Sequence, residues 1–135
     1  MLEFVKRQAK DNSIENINYI KTSIFDQRFK DEKFDAILAF NVLHYIEDMP
    51  SFIKKIHGLL KPNGIFISST ACLIEKRSFL RYLVLFPAKL GIMPKTNFYK
   101  GIELENLIKD GDFDLIKSER LSKLPEYFMV ARQSE

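Results

Sequence analysis

Residues 33–70 read KFDAILAFNVLHYIEDMPSFIKKIHGLLKPNGIFISST, and the order of patterns within them decides the fold. Phe34 to Val42 is a nearly unbroken apolar run that follows a short polar turn. After a polar break, Phe52, Ile53, Ile56, Leu59 and Leu60 recur at helical spacing, with Lys54, Lys55 and His57 on the other face. Asp48 suits an N-cap, with Pro50 and Ser51 in the first turn. Lys61-Pro62-Asn63-Gly64 then stops the helix and turns the chain into strand Ile65 to Ser69, which opens with a second apolar run, Ile65 to Ile67. Two short β-branched and aromatic runs joined by one helix predict a βαβ unit of a parallel sheet. Such a unit opens a ligand crevice at the carboxyl end of its first strand, here Ala39 to Tyr45. Phe34 to Phe40 is apolar on both faces except at Asp35, the pattern of a central strand covered by helices.

Toward the amino end, Leu2, Val5 and Ala9, with Met1 and Phe4 beside them, predict an amphipathic helix ending near Asp11-Asn12. Ile17 to Ile24 alternates in the manner of a strand, and Phe25 to Lys33 is polar loop or a short turn of helix. Toward the carboxyl end, helical patterns resume from Ile74 to Phe86 and from Glu103 to Lys109. Two closing strands, Phe113 to Leu121 and Tyr127 to Arg132, are separated by so few residues that an antiparallel hairpin is expected. The order is α, β, β, α, β, α, α, β, β, an α/β fold whose sheet is parallel at its centre and antiparallel at its end.

At 135 residues the chain is a single domain, 1–135, with enough length for a core. A net charge of +3 with both signs mixed along the chain, and no basic run with interleaved aromatics, argues against a nucleic-acid partner. The lone cysteine, Cys72, forms no internal disulfide, so a reducing cytoplasm is the expected location. No secretory leader opens the chain as given. The most apolar stretch, Phe79 to Met93, is interrupted by Arg81, Pro87 and Lys89 and falls short of the about 20 apolar residues a bilayer needs, so no transmembrane segment is expected.

FDAILAFNVLHYIED, LLKPNGIFISS, ELENLIKDGDFDLI and FMVAR, in this order and spacing, resemble the fourth strand and its following motif, the turn into the fifth strand, the entry to the sixth and the seventh strand of class I S-adenosylmethionine-dependent methyltransferases. The nearest likeness is to the type-11 and quinone-biosynthesis small-molecule enzymes, and it runs nearly the whole length. It implies a Rossmann-like sheet, S-adenosylmethionine as cofactor and methyl transfer to a small, possibly apolar molecule. The departure is at the front. The family grips its cofactor with a Gly-rich turn after strand one and an acid after strand two. Here the glycines are Gly58, Gly64, Gly91, Gly101 and Gly111, none placed to make that turn. The resemblance therefore implies a truncated domain lacking the first strand, first helix and second strand, at least about 30 residues. With them absent, Ile17–Ile24 and Phe34–Phe40 are expected to pair directly, recruit another chain (a homo-oligomer or a partner completing the sheet), or be poorly ordered.

Carried over by position, Ser23 and Ile24 stand where the loop after strand three meets adenine. The family often has an acid at the place of Ser23. Strand-end turn former and core residue are the competing readings of these two. Phe40 and Asn41 stand where the family approaches the methionine part of the cofactor, and Asn41 is equally readable as a local turn former. His44 and Tyr45 follow at the crevice mouth. His44 is either a base at neutral pH or a satisfied core histidine, and Tyr45 shapes a pocket wall. His57 reads as surface and Cys72 as a buried small residue. No metal-ligand spacing appears. Residues 71–100, with apolar Phe79 to Met93 and Tyr99, read as a lid over the acceptor pocket or a subunit interface, with an interfacial membrane helix as a third option. The function expected is methyl transfer by the intact protein. The alternative is a non-catalytic remnant of that fold acting as a partner subunit, and a general nucleotide-binding Rossmann domain is disfavoured by the closing hairpin.

Overall fold

A computed structural model describes residues 2–71, 97, 99–121 and 126–134, which fall into two compact units, Met1–Lys30 and Asp31–Glu135. In the first unit, helix α1 spans Leu2–Asp11, with Glu3 in its first turn and Lys10 in its last, each sign matched to the helix dipole. Ser13, at φ 54°, turns the chain out of the helix. The strand expected over Ile17–Ile24 is not formed, and Ile17 and Ile20 remain 45% and 43% exposed. The reason is the ladder: strand geometry persists where a neighbour takes its N–H and C=O groups, and the sheet of this protein contains no strand from this segment. A single 3₁₀ turn, Gln27–Phe29, follows, capped by Asp26, whose carboxylate accepts from Arg28 N–H at 2.9 Å.

The second unit holds strand β1 (Phe34–Phe40), helix α2 (Met49–Leu59), strand β2 (Leu60–Ala71), helix α3 (Gly101–Asp110) and strands β3 (Phe113–Arg120) and β4 (Glu126–Gln133). The sheet order is β1-β2-β4-β3, with β1 parallel to β2 and β4 antiparallel to both of its neighbours. The expected α/β architecture, a parallel pair closed by an antiparallel hairpin, is the one observed. Asp48 caps α2 as its position predicts, accepting from Ser51 N–H at 3.1 Å. The Lys61–Gly64 turn bulges out of β2, since Phe34 pairs with Leu60 while Ala36 already pairs with Ile65. Asn63 is left-handed there at φ 64°, and a Cβ on Gly64 would lie 2.8 Å from the Lys61 carbonyl oxygen.

Side chains repeat every second residue along a strand, so the register sorts the sheet into two faces. One face carries Ala39, Phe66, Ser68, Thr70, Met129 and Ala131, all buried. Met49, Phe52, Ile53, Ile56 and Leu59 of α2 and Leu104 and Ile108 of α3 are buried with it. The helices approach closely at two glycines. A Cβ on Gly111 would lie 2.2 Å from Ile53 Cγ2, and one on Gly101 would lie 2.2 Å from the Tyr127 ring. The opposite face carries Ala36, Leu38, Phe40, Ile65, Ile67, Phe128 and Val130, with Leu38 56% and Phe40 54% exposed.

Two expectations change here. Among the described residues, β1 is an edge strand, bonded within the sheet only to β2, rather than a central strand covered on both faces. Because Asn41 N–H bonds inward to β2, alternation turns the N–H and C=O groups of Ala36, Leu38 and Phe40 toward the open edge. His57 is half-buried rather than surface. Its ring meets Phe113 edge-on, centroids 5.3 Å apart, and its carbonyl accepts from Gln133 Nε2 at 3.0 Å. It occupies the last turn of α2, where that helix meets the hairpin. The helix expected over Ile74–Phe86, the lid reading of 71–100 and the environment of Cys72 fall, apart from Ala71 and residues 97, 99 and 100, outside the described residues. No helix among the described residues is long and apolar enough to cross a membrane.

Candidate functional site

The carboxyl ends of β1 and β2 lie side by side, as a parallel pair requires, and the chain leaves β1 through a left-handed residue. Asn41 has φ 53°, and its N–H donates to the Ser69 carbonyl at 2.8 Å. Asparagine tolerates that backbone because its short side chain bonds locally, which is why it serves here where a β-branched residue would be strained. Its side chain remains exposed at the crevice. A 3₁₀ turn, Leu43–Tyr45, follows at once, anchored by Leu43, which is 0% exposed.

That anchor sets the two residues next to it. His44 is half-buried, with its ring centroid 4.0 Å from that of Tyr45 at 49°, while Tyr45 is 51% exposed. His44 Nδ1 is buried without a hydrogen-bond partner among the described residues. Burial holds the imidazole pKa below its ordinary value of 6.5. The ring is therefore neutral at pH 7 and able to accept a proton. The main chain of this turn is clamped from afar: Asn97 N–H donates to the His44 carbonyl at 2.7 Å, and Asn97 Nδ2 donates to the Ile46 carbonyl at 2.7 Å. Tyr99, two residues on, has its phenol pKa pushed up by burial, with the Glu103 carboxylate adding to the shift and a hydrogen bond to Asn97 opposing it.

The depressed His44 pKa has a measurable consequence. The unfolded chain binds the His44 proton more readily than the folded chain, so this group's contribution to stability is present above pH about 6.5 and declines as pH falls below it. In urea titrations at pH 7.5 and 5.5, His44→Gln is expected to lose less stability on acidification than the unsubstituted chain. Equal losses would show that His44 is not desolvated.

Of the expected cofactor contacts, Phe40 and Asn41 end β1 at this crevice, with Phe40 on the open face of the sheet. Ser23 and Ile24 belong to the first unit. The Ser23 hydroxyl oxygen accepts from Phe25 N–H at 3.2 Å and its carbonyl from Asp26 N–H at 3.1 Å, the geometry of a turn former. Nearby, Asp26 has its pKa lowered chiefly by its hydrogen bond to the Arg28 guanidinium, and Thr22 Oγ1 donates to it at 2.5 Å. Three residues at the crevice were not singled out by sequence: Asn97, Ser69 and Glu126. Ser69 Oγ donates to Glu126 Oε1 at 2.7 Å across the β2–β4 ladder. No local pattern marks any of them, since each depends on a partner more than 50 residues away in sequence.

A family model described as a methyltransferase domain matches residues 1–68. The ubiquinone biosynthesis O-methyltransferase of Rickettsia felis is 26% identical over 119 residues, which cover 84% of this chain and 48% of that protein. The mitochondrial arginine-hydroxylase NDUFAF5 of Danio rerio is 32% identical over 92 residues, covering 65% of this chain and 28% of that protein. Among solved structures, an O-methyltransferase family protein from Burkholderia thailandensis superposes with a TM-score of 0.76 at 12% identity, covering 98% of this chain and 41% of that one. The chain thus spans less than half the length of these three proteins.

Proposed function

The chain belongs to the methyltransferase-domain family, whose model matches residues 1–68, and on that premise we propose that the whole protein transfers a methyl group from S-adenosylmethionine to a hydroxyl of a small, apolar molecule. The observation that carries this reading is the parallel β1–β2 pair, at whose carboxyl end stand the exposed Asn41 and the half-buried His44, the place where such folds take their ligands. The choice of oxygen follows the Rickettsia felis relative, a ubiquinone biosynthesis O-methyltransferase. The single cysteine, which has no partner for an internal disulfide, supports a cytoplasmic location.

Phe40 and Asn41, at the end of β1, would hold the methionine part of the cofactor, and the resemblance alone assigns its adenine to Ser23 and Ile24. The Gly-rich turn that grips the other side has no counterpart among the five glycines of this chain. S-adenosylmethionine, when bound, supplies a methyl group on a sulfonium, so the protein's task is to position the acceptor and exclude water. His44 takes the proton that the acceptor hydroxyl loses. Tyr45 forms part of the wall, and 71–100 serves as a lid over the acceptor.

The test is the whole domain, made by joining this chain to the strand and Gly-rich turn of a relative, given S-adenosylmethionine with a tritiated methyl group and a long-chain alkyl catechol. Tritium is expected in the organic phase, and His44→Gln is expected to reduce it about 10²-fold or more, the scale of a lost general base. Label appearing only on water-soluble acceptors would overturn the apolar acceptor. A second reading has its own observation, the open β1 edge beside exposed Leu38 and Phe40. There the chain is a non-catalytic subunit that completes its sheet with a second chain, and an absence of label from a domain that binds the donor would favour it.

A further inference from the structure

The carboxyl end of β2 carries a polar link that spans three strands. Ser69 is 6% exposed, and its two polar ends look in opposite directions across the sheet. Its hydroxyl donates to Glu126 Oε1 at 2.7 Å, toward β4. Its carbonyl accepts from Asn41 N–H at 2.8 Å, toward β1. Glu126 is the first residue of β4 and stands opposite Ala71, so the bond to Ser69 reaches back along the same sheet face to the level where β1 ends. Among the described residues, β1 has no strand on its far side. The left-handed backbone of Asn41 is therefore held from one side, through Ser69. A conformation of that kind persists only where its surroundings over-determine it.

We propose that Glu126 is a positioning residue for Asn41, acting through Ser69: its carboxylate fixes the Ser69 side chain, and with it the strand end whose carbonyl holds the Asn41 N–H. The inference deepens the reading of Asn41 as a cofactor contact and rests on it for its functional meaning, while the link itself is tested without cofactor. A buried hydroxyl needs an acceptor, and a part-buried carboxylate is a stronger one than a neutral group. Removing it leaves Ser69 free to change rotamer and seek another acceptor, which loosens the end of β2 at the point where Asn41 depends on it.

The experiment reads amide hydrogen exchange by NMR on the full 135-residue chain, comparing Asn41 with Ile37, which pairs with Phe66 in the middle of β1. Glu126→Ala is expected to speed Asn41 exchange about tenfold relative to Ile37, the factor for losing one ordinary hydrogen bond. Glu126→Gln keeps an acceptor oxygen and is expected to stay within about threefold of the unsubstituted chain. Ser69→Ala should match Glu126→Ala, and the double substitution should be no faster than either alone, since both break one link. Unchanged Asn41 exchange in Glu126→Ala would overturn the proposal. So would a parallel rise at Ile37, which would mark a general loss of stability, or additive single effects. In the completed domain, S-adenosylmethionine is expected to shift the Asn41 resonances in the unsubstituted chain. Asn41 signals that stay unmoved when the donor binds would overturn its cofactor role while leaving the exchange result standing, so the two failures are distinguishable.

Discussion

A domain in which a strand and a Gly-rich turn precede these residues is expected to bind S-adenosylmethionine at least about a hundredfold more tightly than the 135-residue chain alone. The cofactor carries an ammonium, a carboxylate, ribose hydroxyls and an adenine, and the proposed contacts at Ser23, Ile24, Phe40 and Asn41 would serve only part of that set. Hydrogen bonds to charged groups contribute about 1.5–3 kcal/mol each, so losing two removes about 3–6 kcal/mol, a hundredfold or more in affinity. The sheet adds to the difference. With the backbone of Ala36, Leu38 and Phe40 facing an open edge, β1 is held from one side, and a site built on it is less preorganised than one built on a paired strand. Calorimetry on the two proteins measures both affinities. Micromolar binding by the chain alone would overturn this expectation.

Phe66→Ala is expected to destabilise the chain by about 3–5 kcal/mol, a large fraction of the about 5–15 kcal/mol that ordinarily holds a domain folded. Phe66 is 1% exposed at the centre of β2, between Ile37 and Ala131 on neighbouring strands, with its ring 6.0 Å from that of Phe113. Its removal leaves a cavity that two helices and three strands cannot close together. In urea, where the slope for small proteins is about 1–3 kcal/mol per M, the midpoint should fall by about 1–5 M, or the variant should be unfolded at zero denaturant. Phe40→Ala is the matched control, because the same ring is 54% exposed on the other face and its loss should cost well under half as much. Comparable losses at both positions would show that the open face is covered as thoroughly as the helical one.

These two positions show why reading residues 33–70 succeeded for the fold and fell short for the site. The periodicities of α1, α2 and α3, the Asp48 cap, the Lys61–Gly64 turn and the closing hairpin are local properties, set by spacing and backbone chemistry within a few residues. They survive in the structure with shifts of one or two residues at their ends, except for β2, which starts five residues earlier. The strand expected over Ile17–Ile24 did not, because alternation states a preference that only a neighbouring strand can satisfy. Likewise Phe34–Phe40 reads as a doubly covered strand, and its apolar pattern is present, yet what covers each face depends on which elements are there to cover it.

His44 and Asn41 were legible as candidates because they follow a strand, and strand ends of parallel pairs are where crevices form. Their states were not legible. The left-handed turn at Asn41, the desolvation of His44 and the links through Asn97, Ser69 and Glu126 come from residues remote in sequence. By itself the sequence determined the order of the elements from Phe34 to Ala71 and from Gly101 onward, the family resemblance and the lack of a Gly-rich turn among these residues, because these are written in spacing and composition. The tertiary structure alone decided that β1 is an edge, that one sheet face is buried and the other open, and that Ser69 ties Glu126 to Asn41. Burial and hydrogen bonding between distant residues arise when the chain closes on itself, and no local pattern encodes them.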